Sequence, residues 1–160
     1  MKHTYLSMIS AIEHLHRQFL DLISAELERN AVLDINSIQA NILFNIGPSD
    51  LTVGELTLRG CYLGSNVSYN VKKLVEAGYL IQQRSAHDRR SVRVRLSPKG
   101  LALCAEIDAM HDRHLVELST GPIDATAVSE TLTTLRRFDR FWTRMVEQGL
   151  QPGSVTFRAA

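Results

Sequence analysis

Between Gly64 and Lys73 the chain reads GSNVSYNVKK. Wound as a helix, this stretch places Val67, Val71, Leu74 and Val75 on one side at spacings of three and four. Asn66, Tyr69, Asn70 and Lys73 fall away from that side, with Ser68 and Lys72 on its flanks. The outward groups are amides, hydroxyls, a phenol and two ammonium groups. Such groups can exchange hydrogen bonds with base edges and neutralise phosphates. A polar helix face can equally be a solvated one, so the neighbouring segments carry the weight. Ser65 is placed to cap the helix by accepting from a backbone N–H two or three residues on.

Two β-prone segments follow, Tyr79 to Arg84 and Ser91 to Leu96. The second alternates, with Val92, Val94 and Leu96 on one side and Arg93 and Arg95 on the other, the pattern of a half-buried strand. Between them lies Ser85-Ala86-His87-Asp88-Arg89-Arg90, a polar hairpin tip. A basic tip of this kind suits a minor groove, where negative potential is concentrated. Asp88 at the tip is expected to orient an arginine, Arg90 first. From Arg59 to Lys99 there are nine basic and two acidic residues, a net +7 in a chain whose total is +1. The basic middle therefore lies between acidic flanks, as expected of a polyanion-binding lobe.

The elements that position these residues can be read in order. Roughly Leu6 to Arg29 forms a long helix with Ile9, Ile12, Leu15, Phe19, Leu22, Ile23 and Leu27 on one face. Ser37 to Asn45 forms a second, capped by Asn36 or Ser37 and stopped at Gly47-Pro48. Thr52-x-x-Glu55 has the capping-box pattern and opens a short third helix to about Arg59. Gly60 to Gly64 turns the chain into the polar-faced helix, which Gly78 ends. Short helix, turn and polar-faced helix make a helix-turn-helix, and the hairpin after it makes a wing. Ser97 and Pro98 start a helix to about Ser119. After Thr120-Gly121-Pro122 a last helix runs from Asp124 to Gln148, with Val128, Leu132, Leu135, Phe138, Trp142, Met145 and Val146 as its stripe.

The expected fold is thus mainly α with a small β-hairpin wing (α+β), a single domain over residues 1–160. Residues 35–97 form the winged DNA-binding lobe. Residues 5–30 and 98–148 supply a helical dimerisation lobe from both termini, and 149–160 form a loose tail. A two-fold dimer would set two reading helices about one DNA turn apart.

The order of elements resembles the MarR family of bacterial transcription regulators. Val67-Ser68, Leu74-x-x-x-Gly78-Tyr79-Leu80, Asp88-Arg89-Arg90 and Leu96-Ser97-x-Lys99-Gly100 carry the resemblance, whose layout covers about residues 5–148. It implies an obligate homodimer, usually a repressor, with Arg90 in the minor groove tied to Asp88. It also implies a small aromatic or phenolic effector bound between the DNA-reading and dimerisation lobes. GSNVSYN and RSAHDRRS further resemble the LdtR-type branch of rhizobial bacteria, which suggests cell-envelope or osmotic-stress genes as targets. The turn departs from the family: Gly60 stands where an apolar residue is usual, followed by Cys61-Tyr62-Leu63. The reactive cysteine of peroxide-sensing relatives is also missing near the start of the first helix.

The partners expected are double-stranded DNA, a second copy of the chain and an effector, with no cofactor. Ser65, Asn66, Ser68, Tyr69 and Lys73 are expected at or near bases. Lys72, Arg89, Arg93 and Arg95 are expected on phosphates. His14, Phe44, Tyr62 and Tyr69 are candidate effector walls. Cys61 and Cys104 show no metal or disulfide spacing and read as reduced thiols. Asp108, His111 and His114 could share a helix face, which keeps a metal-responsive regulator as an alternative. A winged interaction module without DNA binding is another, but its reading helix and wing would be charge-neutral. No Gly-rich phosphate loop, GxSxG or HExxH motif is present, so no enzyme is expected. No apolar run reaches the roughly 20 residues of a membrane span, and no secretory signal is visible, so the expected site is the cytoplasm.

Overall fold

The structure, a computed structural model, describes residues 1–60, 64–84 and 92–149, although the side chains of 58–60, 64, 65 and 84 are outside that description. Among the described residues six helices and three strands follow in the order α1 (Lys2–Arg29), α2 (Ser37–Ile46), β1 (Leu51–Thr52), α3 (Val53–Gly60), α4 (Gly64–Glu76), β2 (Leu80–Arg84), β3 (Val92–Leu96), α5 (Pro98–Thr120) and α6 (Ala125–Gly149). The chain divides into two compact units, Met1–Asp112 and the part from Arg113 onward.

Capping chemistry sets where the helices of the first unit begin. The Asn36 side chain accepts from the Gln39 backbone N–H at 2.9 Å, and the Gln39 side chain accepts from the Asn36 N–H at 3.0 Å. Thr52 and Glu55 make the same reciprocal pair at the start of α3, with the Thr52 N–H donating to Glu55 Oε2 at 2.7 Å and the Glu55 N–H donating to Thr52 Oγ1 at 3.1 Å. Two otherwise orphaned donors are satisfied at each end. Asp124 caps α6 by accepting from the Ala127 N–H at 2.7 Å.

The sheet has one strand more than the hairpin expected from sequence. β1 joins β3 antiparallel with Leu51 opposite Val94 and Thr52 opposite Arg93, giving the order β1-β3-β2. A two-residue strand leaves no periodic trace in a sequence, which is why only pairing reveals it. β2 and β3 pair from Leu80–Leu96 to Arg84–Val92.

One core serves the first unit. Ile23 and Leu27 of α1, Ile42, Leu43 and Ile46 of α2, and Leu56 of α3 are buried together. Val67, Val71 and Leu74 of α4, Val94 and Leu96 of β3, and Leu103, Ile107 and Met110 of α5 complete it. The end of α1 and the start of α5, which the sequence assigned to a dimerisation lobe, therefore pack into the core under the winged module. The second unit is different. No residue of α6 is buried. Val128, Leu132, Leu135, Met145 and Val146 each expose more than two fifths of their surface.

The end of α4 is tied down closely. Gly78 adopts φ +79°, its N–H donates to the Val75 carbonyl at 3.0 Å, and the Tyr79 N–H donates to the Leu74 carbonyl at 2.9 Å, a Schellman ending. α5 starts against this ending. A Cβ on Gly100 would lie 2.3 Å from the Tyr79 carbonyl oxygen, so only glycine lets the two backbones meet. Asp34, from the α1–α2 connection, accepts from Tyr79 Oη and from Lys99 Nζ, each at 2.7 Å. The Lys99 hydrogen bond, with lesser help from Tyr79, holds the Asp34 carboxyl below the usual carboxylate range against the effect of burial.

Gly100→Ala is expected to cost about 1–3 kcal/mol through overpacking, read as a lower midpoint in urea unfolding. The depressed Asp34 carboxyl contributes stability above the ordinary value of about 4 and loses it as pH falls through the folded value. Asp34→Asn should therefore melt below the wild type at pH 7, and the gap should close as pH drops below about 4. A gap that widened in acid would contradict the assignment.

Candidate nucleic-acid interface

α4 is sorted into two faces by burial. Val67 and Leu74 are completely buried and Val71 nearly so. Asn66, Ser68, Tyr69, Lys72 and Lys73 are exposed on the other side. Tyr69 shows 61% of its surface, unusual for a large aromatic ring with no apolar cover. Asn70 is half-buried, and its Nδ2 donates back to the Asn66 carbonyl at 2.8 Å. The Ser65 side chain lies outside the described residues. Burial of the valine and leucine stripe therefore forces the amides, hydroxyl, phenol and ammonium groups outward as a set.

The charges on this surface are not all at rest in water. Lys73 Nζ lies 3.0 Å from Glu76 Oε2, and Lys72 Nζ lies 3.9 Å from Glu76 Oε1. The hydrogen bond between Lys73 and Glu76 raises the lysine and lowers the glutamate relative to their ordinary values. Both lysines are exposed, so these pairs are weak and screened, and a phosphate can compete for either ammonium. Arg93 is more firmly occupied. Its Nε lies 3.1 Å from Asp50 Oδ2, and its Nη2 donates to the Asp50 carbonyl. It thus joins β3 to the residue before β1. Lys99 lies 2.7 Å from Asp34. Four of the five basic side chains described between Arg59 and Lys99 thus face a carboxylate, and two of those carboxylates, Asp50 and Asp34, come from outside the basic segment. Arg95 is the fifth, exposed on the outer face of β3.

Asp88, Arg89 and Arg90 lie outside the described residues, as do Cys61 and the turn from 61 to 63. The sequence missed the role of Asp50, and the only trace it left was the turn-forming run Gly47-Pro48-Ser49-Asp50 before a capping threonine. It also noticed Lys99 only as part of a motif.

Among the described residues, His14, Phe44 and Tyr69 stand on three different helices. His14 is exposed on α1, and Tyr69 is exposed on α4. Phe44 packs its ring 5.1 Å from that of His111, which also stacks on Phe19 at 6.0 Å. Tyr62 is outside the described residues. A cleft of about 170 Å³ behind α4 is lined instead by His16, Leu20, Ile38, Asn41, Ile42, Asn66, Val67 and Asn70. Phe44 lines a shallower groove of about 350 Å³ with Gly47, Pro48, Leu96, Leu101 and Cys104. Burial pushes the Cys104 thiol up to about 11, so it is a packing residue with little thiolate at neutral pH. Among the described residues no three histidine, cysteine or acidic side chains come together as a metal site. No described helix is long and apolar enough to cross a membrane.

A buried-stripe helix with an outward polar face, preceded by a capped short helix and followed by paired strands, defines a winged helix-turn-helix. The MarR family model matches residues 33–91. Over 147 residues the chain is 37% identical to the exopolysaccharide II synthesis transcriptional activator ExpG of Rhizobium meliloti (strain 1021), covering 92% of this chain and 76% of that protein. The fold is shared with Streptococcus pneumoniae FabT in complex with DNA, at a TM-score of 0.71 and 18% identity, covering 88% of this chain and 99% of that one. It is also shared with a MarR variant from E. coli complexed with operator DNA, at 0.69 and 20%, covering 84% and 95%. The transcriptional regulator SlyA gives 0.73 and 15%, covering 88% and 96%. The chain belongs to the MarR family of winged helix-turn-helix transcription regulators, which are DNA-binding proteins without enzymatic activity.

Lys72→Ala should weaken binding to any duplex and flatten the salt dependence by about one unit, since it removes one phosphate contact. Asn66→Ala should instead weaken binding to the operator more than to unrelated DNA. Gel-shift titrations at several salt concentrations separate the two.

Proposed function

We propose that this protein is a dimeric, sequence-specific regulator that reads a palindromic operator. α4 lies in the major groove with Ser65, Asn66, Ser68, Tyr69 and Lys73 at or near the bases, and Lys72 and Arg95 serve phosphates. Asp88 orients Arg90 into the adjacent minor groove, with Arg89 beside it on the backbone. The observation that carries this reading is the division of α4 into a buried apolar side and a fully polar outward side. Arg93, tied to Asp50 in the free protein, acts on DNA chiefly by holding the wing to β1.

The dimer is supported by α6. A 25-residue helix with no buried residue, and with Val128, Leu132, Leu135, Met145 and Val146 exposed along one stripe, gains most of its stability by packing that stripe against something. A second copy of the chain covers it. The two-fold axis then gives two reading helices, and the operator mirrors that symmetry. The sign of regulation follows the operator's position relative to the promoter. The relative named as an activator favours an operator upstream of the polymerase site over the repression that the family resemblance implied, and its connection with exopolysaccharide supports cell-envelope targets. An effector, a single-ring aromatic or phenolic compound, fits the cleft behind α4. That cleft is smaller than the roughly 300–1,000 Å³ of drug-sized sites, and an occupant there would favour a state with α4 displaced.

Selection of bound fragments from the source genome should yield a two-fold symmetric sequence. Sedimentation should give twice the 17.9 kDa of one chain. Leu132→Glu in the α6 stripe should shift the protein to monomer and abolish tight operator binding. Arg90→Ala should weaken that binding more than Arg140→Ala on α6. A stable monomer that binds its operator tightly, or a protein that ignores DNA at low salt, would refute the proposal.

A further inference from the structure

Three consecutive carbonyls at the end of α4 are held by one three-residue segment. The Ala77 carbonyl accepts from Lys99 Nζ at 3.0 Å, the Gly78 carbonyl from Ser97 Oγ at 2.7 Å, and the Tyr79 carbonyl from the Ser97 N–H at 2.9 Å. Ser97 Oγ also accepts from the Gly100 N–H at 3.0 Å, so the hydroxyl that caps α5 also holds the end of α4. Asp34 closes the arrangement from a third element. It binds Lys99 and Tyr79 at once, and the ammonium group sits 4.0 Å from the centre of the Tyr79 ring. The α1–α2 connection, the end of the reading helix and the start of α5 therefore meet in one polar cluster.

We infer that Asp34, Tyr79 and Lys99 form a clamp that sets the aim of the reading helix, so that they are positioning residues for operator recognition although none of them lies on its base-reading face. The inference rests on the DNA-reading role proposed for α4. The geometry explains why its far end matters. With 13 residues, α4 is roughly 20 Å long, so a tilt of about five degrees at its end moves its first turn by about 1.7 Å. Base-edge hydrogen bonds tolerate only a few tenths of an ångström beyond about 3.2 Å. Asn66 and Ser68 lie in the first turns, at the moving end of that lever. The apolar stripe of Val67, Val71 and Leu74 keeps α4 on the core, but non-directional packing permits small tilts. The hydrogen bonds that Lys99 and Tyr79 donate to Asp34, and Lys99 to the Ala77 carbonyl, are directional and restrict them. The ammonium group of this lysine is held at once by Asp34, the Ala77 carbonyl and the Tyr79 ring, which assigns it to the cluster and not to a phosphate.

The test compares wild type, Asp34→Asn, Tyr79→Phe, Lys99→Met, Lys99→Arg and the double variant Asp34→Asn/Lys99→Met on the selected operator and on unrelated DNA. Binding is measured across a salt series at a temperature where circular dichroism shows every variant folded. Asp34→Asn and Lys99→Met should each reduce the ratio of operator to unrelated affinity by roughly five- to tenfold, the loss expected of a charge-assisted hydrogen bond. The salt slope should stay unchanged. Lys99→Arg should keep the ratio within about twofold, and the double variant should be little worse than either single one, since the pair acts as a unit. Tyr79→Phe should show a smaller loss in the same direction. Unchanged ratios in the folded variants would overturn the clamp and leave the DNA-reading role standing. A loss confined to Lys99→Met, with the salt slope reduced by about one unit, would also overturn it by making Lys99 a phosphate contact. Failure of the wild type to prefer any duplex would overturn the DNA-reading role and the clamp with it.

Discussion

Burial of Val67, Val71 and Leu74 against the rest of the core is the interaction on which the remaining structure depends. Each such side chain contributes about 1.5–3 kcal/mol by leaving water. Their spacing also dictates direction. Once these three point inward, Asn66, Ser68, Tyr69, Lys72 and Lys73 have only the outward side left. The hydrophobic effect thus builds the polar surface indirectly, by deciding what the polar residues cannot face.

Burial alone leaves an angle undetermined, and the polar contacts supply it. Capping pairs at Asn36–Gln39 and Thr52–Glu55 set where α2 and α3 begin, and through them how α3 leads toward α4. The Schellman ending at Gly78 and the close approach at Gly100 set where α4 stops and α5 starts. Arg93 and Asp50 join the wing strand to β1. These side-chain and capping contacts therefore lie mostly at element ends.

Charge is arranged on the same economy. The basic residues between Arg59 and Lys99 suggested a uniformly positive lobe. Among those described, the structural ones, Arg93 and Lys99, are held by Asp50 and Asp34. The lysines of α4 share Glu76, an exposed contact that a phosphate can replace. Two of these cations therefore join residues far apart in the chain, and two pair within one helix. A residue count cannot separate the two.

Sequence alone determined the described helices, the caps at Asn36, Thr52 and Ser97 and the two faces of α4, because these follow from local periodicity and from side chains within three or four residues of the backbone groups they satisfy. It also marked Gly78 as a helix end and β3 as an alternating strand. It did not reveal β1, since two residues carry no period. Only the tertiary structure decided that Arg93 belongs to Asp50 and that Lys99 and Tyr79 belong to Asp34. Those partners lie 43, 65 and 45 positions apart in the chain, and ion pairs and hydrogen bonds over such separations exist only after packing has brought their elements together.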